Sequence, residues 1–200
     1  MKKILLSGFK PLGGYKINPS WEIAKRLRNK KVKGVQVIGL RLPVVFGEAR
    51  QQLIKAIKKY QPAIVLALGQ HNSSPALRIE RLGMNIHQGL DENQKRPNTK
   101  YIIKHGPPAY FATLPFKPII KRVSQQGIPI QISYSAGSYL CNEILYSALH
   151  YRRINNLSIK IGFIHVPLLP KQARQKPGTY PSMPLKTAVK AIKLALETCV

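Results

Sequence analysis

The stretch AIVLALG, residues 63–69, is apolar at nearly every position and ends on glycine. A strand with one solvated face alternates polar and apolar residues. A run without alternation is expected of a strand covered on both faces, as in a parallel sheet between two helical layers. The flanking patterns agree. Upstream, KILLSGF (3–9) reads as a strand, SWEIAKRLRN (20–29) as a helix with Ser20 as a candidate N-cap, and GVQVIGLRLP (34–43) as a strand. GEARQQLIKAIKKY (47–60) then reads as a helix. Downstream, ALRIERLGMNI (76–86) reads as a further strand in a less regular part of the sheet, and residues 87–108 as a long, polar, mobile loop. KPIIKRVSQQG (117–127) is a helix and IPIQISY (128–134) a buried strand. SIKIGFIHVPLLP (158–170) is a strand ending in prolines, and PLKTAVKAIKLALE (184–197) a helix with Leu185, Ala188, Val189, Ile192, Ala195 and Leu196 on one stripe. Alternation of this kind, without repeats or linkers, predicts one α/β domain over residues 1–200. It has three α/β/α layers around a mainly parallel, twisted open sheet.

Two hundred residues at 44% hydrophobic content suffice for a substantial core and argue against disorder. MKKILLSGF lacks the cleavage-type segment of a secretion signal, and no apolar run approaches the roughly 18 residues of a membrane span. The two cysteines, Cys141 and Cys199, lie in unlike contexts, and reduced thiols in a cytoplasmic protein are the simpler reading than a disulfide. Thirty-three Lys and Arg against seven acids give a formal net charge of +26. Such an excess favours nonspecific contact with nucleic acid. The basic residues are spread along helix faces, however, without zinc-finger spacing or an RNP-type aromatic motif.

In sheets of this kind ligands bind outside the carboxyl ends of the strands. The segments leaving those ends are expected at 8–14, 68–74, 134–141 and 165–170, and two of them carry reactive groups, Cys141 and His165. YSAGSYLCNEILYSALHY (134–151) places the thiol at the joint between strand and helix, with the helix expected to start near Asn142. Backbone N–H groups at a helix N-terminus stabilise a thiolate and later an oxyanion. A small core hydrophobe is the plain structural alternative, since free cysteine is among the most buried residue types. A thiol nucleophile needs a base, and the base an orienting group. His165, between Ile164 and Val166, leaves a buried strand end, whereas His71, His87, His105 and His150 read as loop or helix-end residues. Among the seven acids, Glu22, Glu48, Glu143 and Glu197 fall in helices, and Asp91 and Glu92 in the loop. Only Glu80 lies in a strand-like segment, where it would orient His165 or be neutralised by Arg78 or Arg81.

These segments resemble the pyroglutamyl peptidase I family of cysteine peptidases over nearly the whole chain. The likeness is carried by GFKPLGG, INPSWE, LALGQ, RIERLGMNI, YFATLP, SAGSYLCNEILY, GFIHVPLLPKQ and PSMPLKTAVKAI, in one order and spacing. The resemblance implies hydrolysis of N-terminal pyroglutamyl peptides by a triad of Cys141, His165 and Glu80. It implies a homotetramer with no metal or other cofactor. It also suggests Phe9, Leu12, Tyr139 and Leu140 as walls of an apolar substrate pocket, with Gln70 reading the lactam amide. The chain departs from the family pattern at four places. Leu12 stands where a phenylalanine is usual, and Val44 where a threonine commonly follows the proline. HNSSP follows Gln70 in place of a Gly-rich run, and Leu90 replaces an expected arginine. Two rival readings follow: an inactive or altered-specificity homologue, and a basic nucleic-acid-binding protein.

Overall fold

The computed structural model describes residues 2–175 and 177–200. Strands β1 (Lys3–Phe9), β2 (Lys31–Val32), β3 (Val35–Leu42), β4 (Ile64–His71), β5 (Leu77–Glu80), β8 (Ile130–Ser133) and β9 (Lys160–Pro167) form a seven-stranded sheet in the order β2-β3-β1-β4-β9-β5-β8. Strands β6 (Leu82–Met84) and β7 (Ala109–Phe111) form a separate antiparallel pair. Helices α1 (Pro19–Leu27), α3 (Phe116–Ser124) and α6 (Leu185–Cys199) cover one face, and α2 (Glu48–Tyr60) and α4 (Leu140–Ile154) the other; α5 (Pro170–Ala173) is a single turn after β9.

The 63–69 run is apolar throughout because both of its faces are core. Ile64, Leu66 and Leu68 pack into the cluster beneath α1, α3 and α6, while Val65 and Ala67 pack beneath α2 and α4. The same alternation governs β5 and β9. Leu77 and Ile79 face the first layer, so Arg78 and Glu80 face α4; Ile164 and Val166 face the first layer, so His165 turns toward α4 with Phe163. This parity, more than any local motif, assembles the site.

Several boundaries differ from the sequence reading. The 76–86 segment is two strands, not one. β5 stays in the main sheet, while β6 turns away to pack on α4, where Gly83 is needed because a Cβ there would lie 2.9 Å from the Tyr146 backbone. β5 pairs antiparallel with β9, since the short 72–76 connection from β4 cannot make the long crossover that a parallel neighbour requires. β8 pairs parallel to β5 and therefore also runs against β9. The 134–139 segment thus does not leave the shared carboxyl edge. It turns at Gly137 with φ +80 and leads into α4, whose first turn carries Cys141. β8 is an edge strand with Ile132 40% exposed, not a buried one.

Helix α4 begins at Leu140, before Asn142, so Cys141 lies inside its first turn. The N-cap of α1 is Asn18, not Ser20. Its side-chain oxygen accepts the Ser20 N–H at 3.0 Å, leaving Pro19 in the first turn, where a missing N–H costs nothing. The 87–108 loop is irregular, yet Asp91 is buried at 3% exposure and its carboxylate accepts the N–H groups of Phe46, Asn93 and Lys95. Among the described residues no helix is long and apolar enough to cross a membrane.

Candidate active site

Cys141 is half-buried in the first turn of α4, whose N-cap Tyr139 makes no side-chain capping hydrogen bond. The unpaired N–H groups of a helix start favour negative charge beside them. Opposite the thiol, β4 carries Gly69, in register with His165 of β9. A Cβ on Gly69 would lie 2.8 Å from Cys141 Sγ and 2.7 Å from Phe163 Cζ, so only glycine lets the helix approach the sheet here.

His165 is 5% exposed, and its Nδ1 lies 2.8 Å from Glu80 Oε1, the shortest ion-pair contact in the site. Glu80 is fully buried, and its other oxygen, Oε2, has no hydrogen-bond partner among the described residues. Burial opposes charge on the imidazole. The Cys141 thiolate, its hydrogen bond to the ring, and the Glu80 carboxylate outweigh burial and push His165 up to about 9. His165 is therefore favoured as the imidazolium at neutral pH, with the Glu80 carboxylate on one side and the Cys141 sulfur on the other. With Nδ1 turned to the acid, Nε2 is the nitrogen left for the sulfur.

Beside the thiol opens a cavity of about 310 Å³, at the small end of ligand pockets. All five of the expected wall and reading residues line it: Phe9, Leu12, Gln70, Tyr139 and Leu140. Val44 and Asn72 join them, so three of the departures from the family pattern, at Leu12, at Val44 and in the HNSSP run, reach the cavity surface. Tyr139 packs edge-on against Phe46 at 5.3 Å and donates its hydroxyl to Leu90 O at 2.8 Å. The Leu90 side chain itself is 46% exposed. Burial and then the charges of Asp91, Cys141 and Glu92 push the Tyr139 phenol up to about 12, so it stays a neutral donor.

Sequence reasoning missed the groups that hold these residues. Gln172 of α5, 1% exposed, donates from Nε2 to Gln70 Oε1 at 3.0 Å and to Ile17 O at 3.1 Å. Gln70 in turn donates to Asn72 Oδ1 at 2.8 Å, so both ends of its amide are fixed. His71, by sequence a loop or helix-end residue, is placed differently by the structure. It ends β4, with its ring edge-on to His165 at 5.5 Å and its Nε2 3.4 Å from an Arg78 nitrogen. Burial, then the positive charges of His165 and Arg78, lower His71 below the usual histidine range. The PLLPKQ run, where α5 starts, was the available signal for Gln172. The sequence offers Arg78, with Arg81, as a counter-charge to Glu80, and Arg78 Nε lies 3.7 Å from Glu80 Oε1; nothing local marks His71, because its contacts come from strand pairing. Among the described residues no group of three or more His, Cys, Asp or Glu side chains could hold a metal ion.

Comparison with known proteins gives one consistent answer. Residues 2–200 match the family described as pyroglutamyl peptidase. The pyrrolidone-carboxylate peptidase of Yersinia pestis (strain Pestoides F) is 40% identical over 199 residues, covering 98% of this chain and 92% of that protein. A mutant pyrrolidone carboxyl peptidase from the hyperthermophile Pyrococcus furiosus superimposes with a TM-score of 0.95 at 39% identity, over 98% of this chain and 97% of that one. The pyroglutamyl peptidase I of Bacillus amyloliquefaciens does so with a TM-score of 0.94 at 36% identity, over 99% and 94% of the two chains.

Proposed function

The chain belongs to the pyroglutamyl peptidase family, a hydrolase of the cysteine peptidase kind, and we propose that it removes N-terminal pyroglutamate through Cys141, His165 and Glu80. The observation that carries the assignment of roles is the 2.8 Å contact of His165 with a fully buried Glu80, on the sheet face that α4 covers with Cys141. His165 takes the thiol proton. The thiolate attacks the carbonyl carbon that links pyroglutamate to the next residue. The N–H of Cys141, with one from a neighbouring loop, receives the oxyanion; loss of one such donor typically costs roughly a hundred- to a thousandfold in rate. As the C–N bond breaks, the imidazolium protonates the leaving amine. Water then gives its proton to His165, attacks the thioester and releases pyroglutamate with the thiol restored. Glu80 fixes the ring orientation and balances its charge.

Pyroglutamate carries no ammonium group, which suits a cavity walled by Phe9, Leu12, Val44, Tyr139 and Leu140. Its lactam would meet Gln70 and Asn72, whose amides already face each other. The deciding experiment is hydrolysis of a chromogenic pyroglutamyl amide by the purified protein, with Cys141→Ser as control. Turnover that vanishes in the control supports the reading. An intact protein that alkylates at Cys141 but does not turn over the amide favours the altered-specificity homologue, to which the Leu12, Val44 and Leu90 departures point.

Residues 1–200 are read as one catalytic domain, assembled as a homotetramer in the cytoplasm. A reducing compartment suits a mechanism that rests on a free thiol, and both cysteines are free. Self-association is supported by apolar side chains left exposed at and near the β8 edge: Phe111 at 63%, Ile132 at 40% and Tyr134 at 61%. Light scattering on the purified protein tests it, and a monomer at micromolar concentration would refute it.

A further inference from the structure

We propose that Arg78 is a positioning residue for the triad: its guanidinium, held by side chains of β8 and β4, supplies the positive charge that balances Glu80 and keeps the site electrically neutral. This rests on the reading of Cys141, His165 and Glu80 given above and adds a fourth charged group to it.

The pairing of β5 with β9 places Arg78 opposite His165, and strand parity turns both toward α4. From there the guanidinium fork reaches three ways. Nη2 donates to Ser133 Oγ of β8 at 2.7 Å, Nη1 lies 3.4 Å from His71 Nε2 of β4, and Nε lies 3.7 Å from Glu80 Oε1. The last distance is too long for a hydrogen bond, and among the described residues Nε has no hydrogen-bond partner. Arg78 therefore acts on Glu80 as a charge and leaves the carboxylate's short contact to His165. A buried carboxylate with one hydrogen bond and a bare second oxygen is costly without a counter-charge.

Arg78 is faced from each element packed against it. β4 contributes His71, β9 His165 and β8 the Ser133 hydroxyl, while α4 brings Cys141 against His165. His71 stays neutral, held down first by burial and then by the charges of His165 and Arg78, so it accepts from Arg78 without adding a second cation beside the triad. With the thiolate–imidazolium pair formed, the two anions Cys141 and Glu80 face the two cations His165 and Arg78. Removing Arg78 leaves one uncompensated negative charge, which favours the protonated form of every titrating group nearby.

The test uses the full chain with Arg78→Met and Arg78→Lys. Two profiles are read against pH: kcat/KM on a pyroglutamyl amide, and the rate of iodoacetamide labelling at Cys141 followed by mass. Arg78→Met is expected to move both limbs of the activity bell, and the labelling midpoint, to higher pH by about half a unit to one unit. kcat should fall while KM stays near wild type, since Arg78 does not line the cavity. Arg78→Lys, which keeps the charge and loses the fork, should bring the limbs back. If Arg78→Met does not fold, Arg78→Gln, which can still donate to Ser133 and His71, takes its place with the same shift expected. Wild-type limbs in the charge-removed variant overturn the proposal, whatever happens to its melting temperature. So does a lysine variant shifted as far as the methionine one. If Cys141 of the unaltered protein labels like an ordinary exposed thiol, the triad reading itself falls, and this inference with it.

Discussion

Cys141 stands in the first turn of α4 beside His165, whereas Cys199 lies 2% exposed at the end of α6, where burial pushes its thiol up to about 11 despite the nearby Lys160 ammonium. At neutral pH an alkylating agent should therefore label Cys141 and spare Cys199. Cys199→Ser should keep most of the activity, and Cys141→Ser should lose at least about a thousandfold. Equal labelling of the two thiols would contradict this division of roles. Glu80 gives a second expectation. Glu80→Gln keeps the side-chain shape and an acceptor oxygen but cannot balance an imidazolium, so kcat should fall roughly a hundred- to ten-thousandfold with the fold retained. The pH profile separates this from a structural role. In the wild type His165 keeps its proton up to about 9, so the alkaline limb of kcat/KM belongs near there. Glu80 is one of the charges holding that value up, and the limb should move to lower pH in Glu80→Gln. A variant that melts earlier but keeps wild-type turnover and the same alkaline limb would make Glu80 an anchor for Arg78 alone. The contact between Glu80 and His165 could be anticipated because each is a chemical exception in its setting, a carboxylate and a histidine inside apolar strands.

At the scale of elements, what could be read depended on whether the cause was local. The unbroken apolar run at 63–69 requires cover on both faces wherever the strand sits, and Val65, Ala67, Ile64 and Leu66 divide between the two cores accordingly. The direction of β5 and β8 depends on which strand each lies beside, which no window of residues encodes, so their reversal against β9 was out of reach. The break at Arg81 was equally hidden. It arises because β6 packs on α4, and the lock there is Asn142. Asn142 is fully buried, accepts the Met84 N–H at 2.8 Å, and donates to Met84 O at 2.8 Å and Ile86 O at 2.7 Å. Asn142→Ala strips the partner from three part-buried backbone groups. It should destabilise the protein by about 2–4 kcal/mol, because each unsatisfied group keeps its desolvation cost. Urea unfolding checks this, and a change below about half a kcal/mol would mean that β6 is held by apolar packing instead. The same lock bears on the proposed mechanism, since Asn142 follows Cys141 and ties the turn that carries the thiol to the 82–86 segment.

For the whole molecule the charge is concentrated further by folding. Of the seven acids, Glu80, Glu143 and Asp91 are buried at 0, 1 and 3% exposure, leaving Glu22, Glu48, Glu92 and Glu197 to offset a surface that carries nearly all of the 33 basic residues. A pyroglutamyl peptide has no N-terminal ammonium, so its net charge is set by the residues downstream of the scissile bond. A peptide with Asp or Glu there is drawn toward the basic surface, one with Lys or Arg is repelled, and a neutral one is indifferent. Salt shortens the reach of this field to about 8 Å at physiological ionic strength and about 3 Å at 1 M. Lowering the salt from about 0.5 M to about 0.02 M should therefore raise kcat/KM several-fold for acidic peptides and lower it for basic ones, with neutral peptides changing less than about twofold. The effect belongs in kcat/KM and not in kcat, because steering and encounter are complete before the thiolate attacks. Duplex DNA should act as a competitor only at the low-salt end, since binding by charge alone is insensitive to sequence and falls steeply with salt. Parallel salt dependences for acidic, neutral and basic peptides would show that the field at the cavity mouth is weak despite the net charge. A sequence-discriminating DNA complex that persists at physiological salt would instead give the basic surface a nucleic-acid partner of its own.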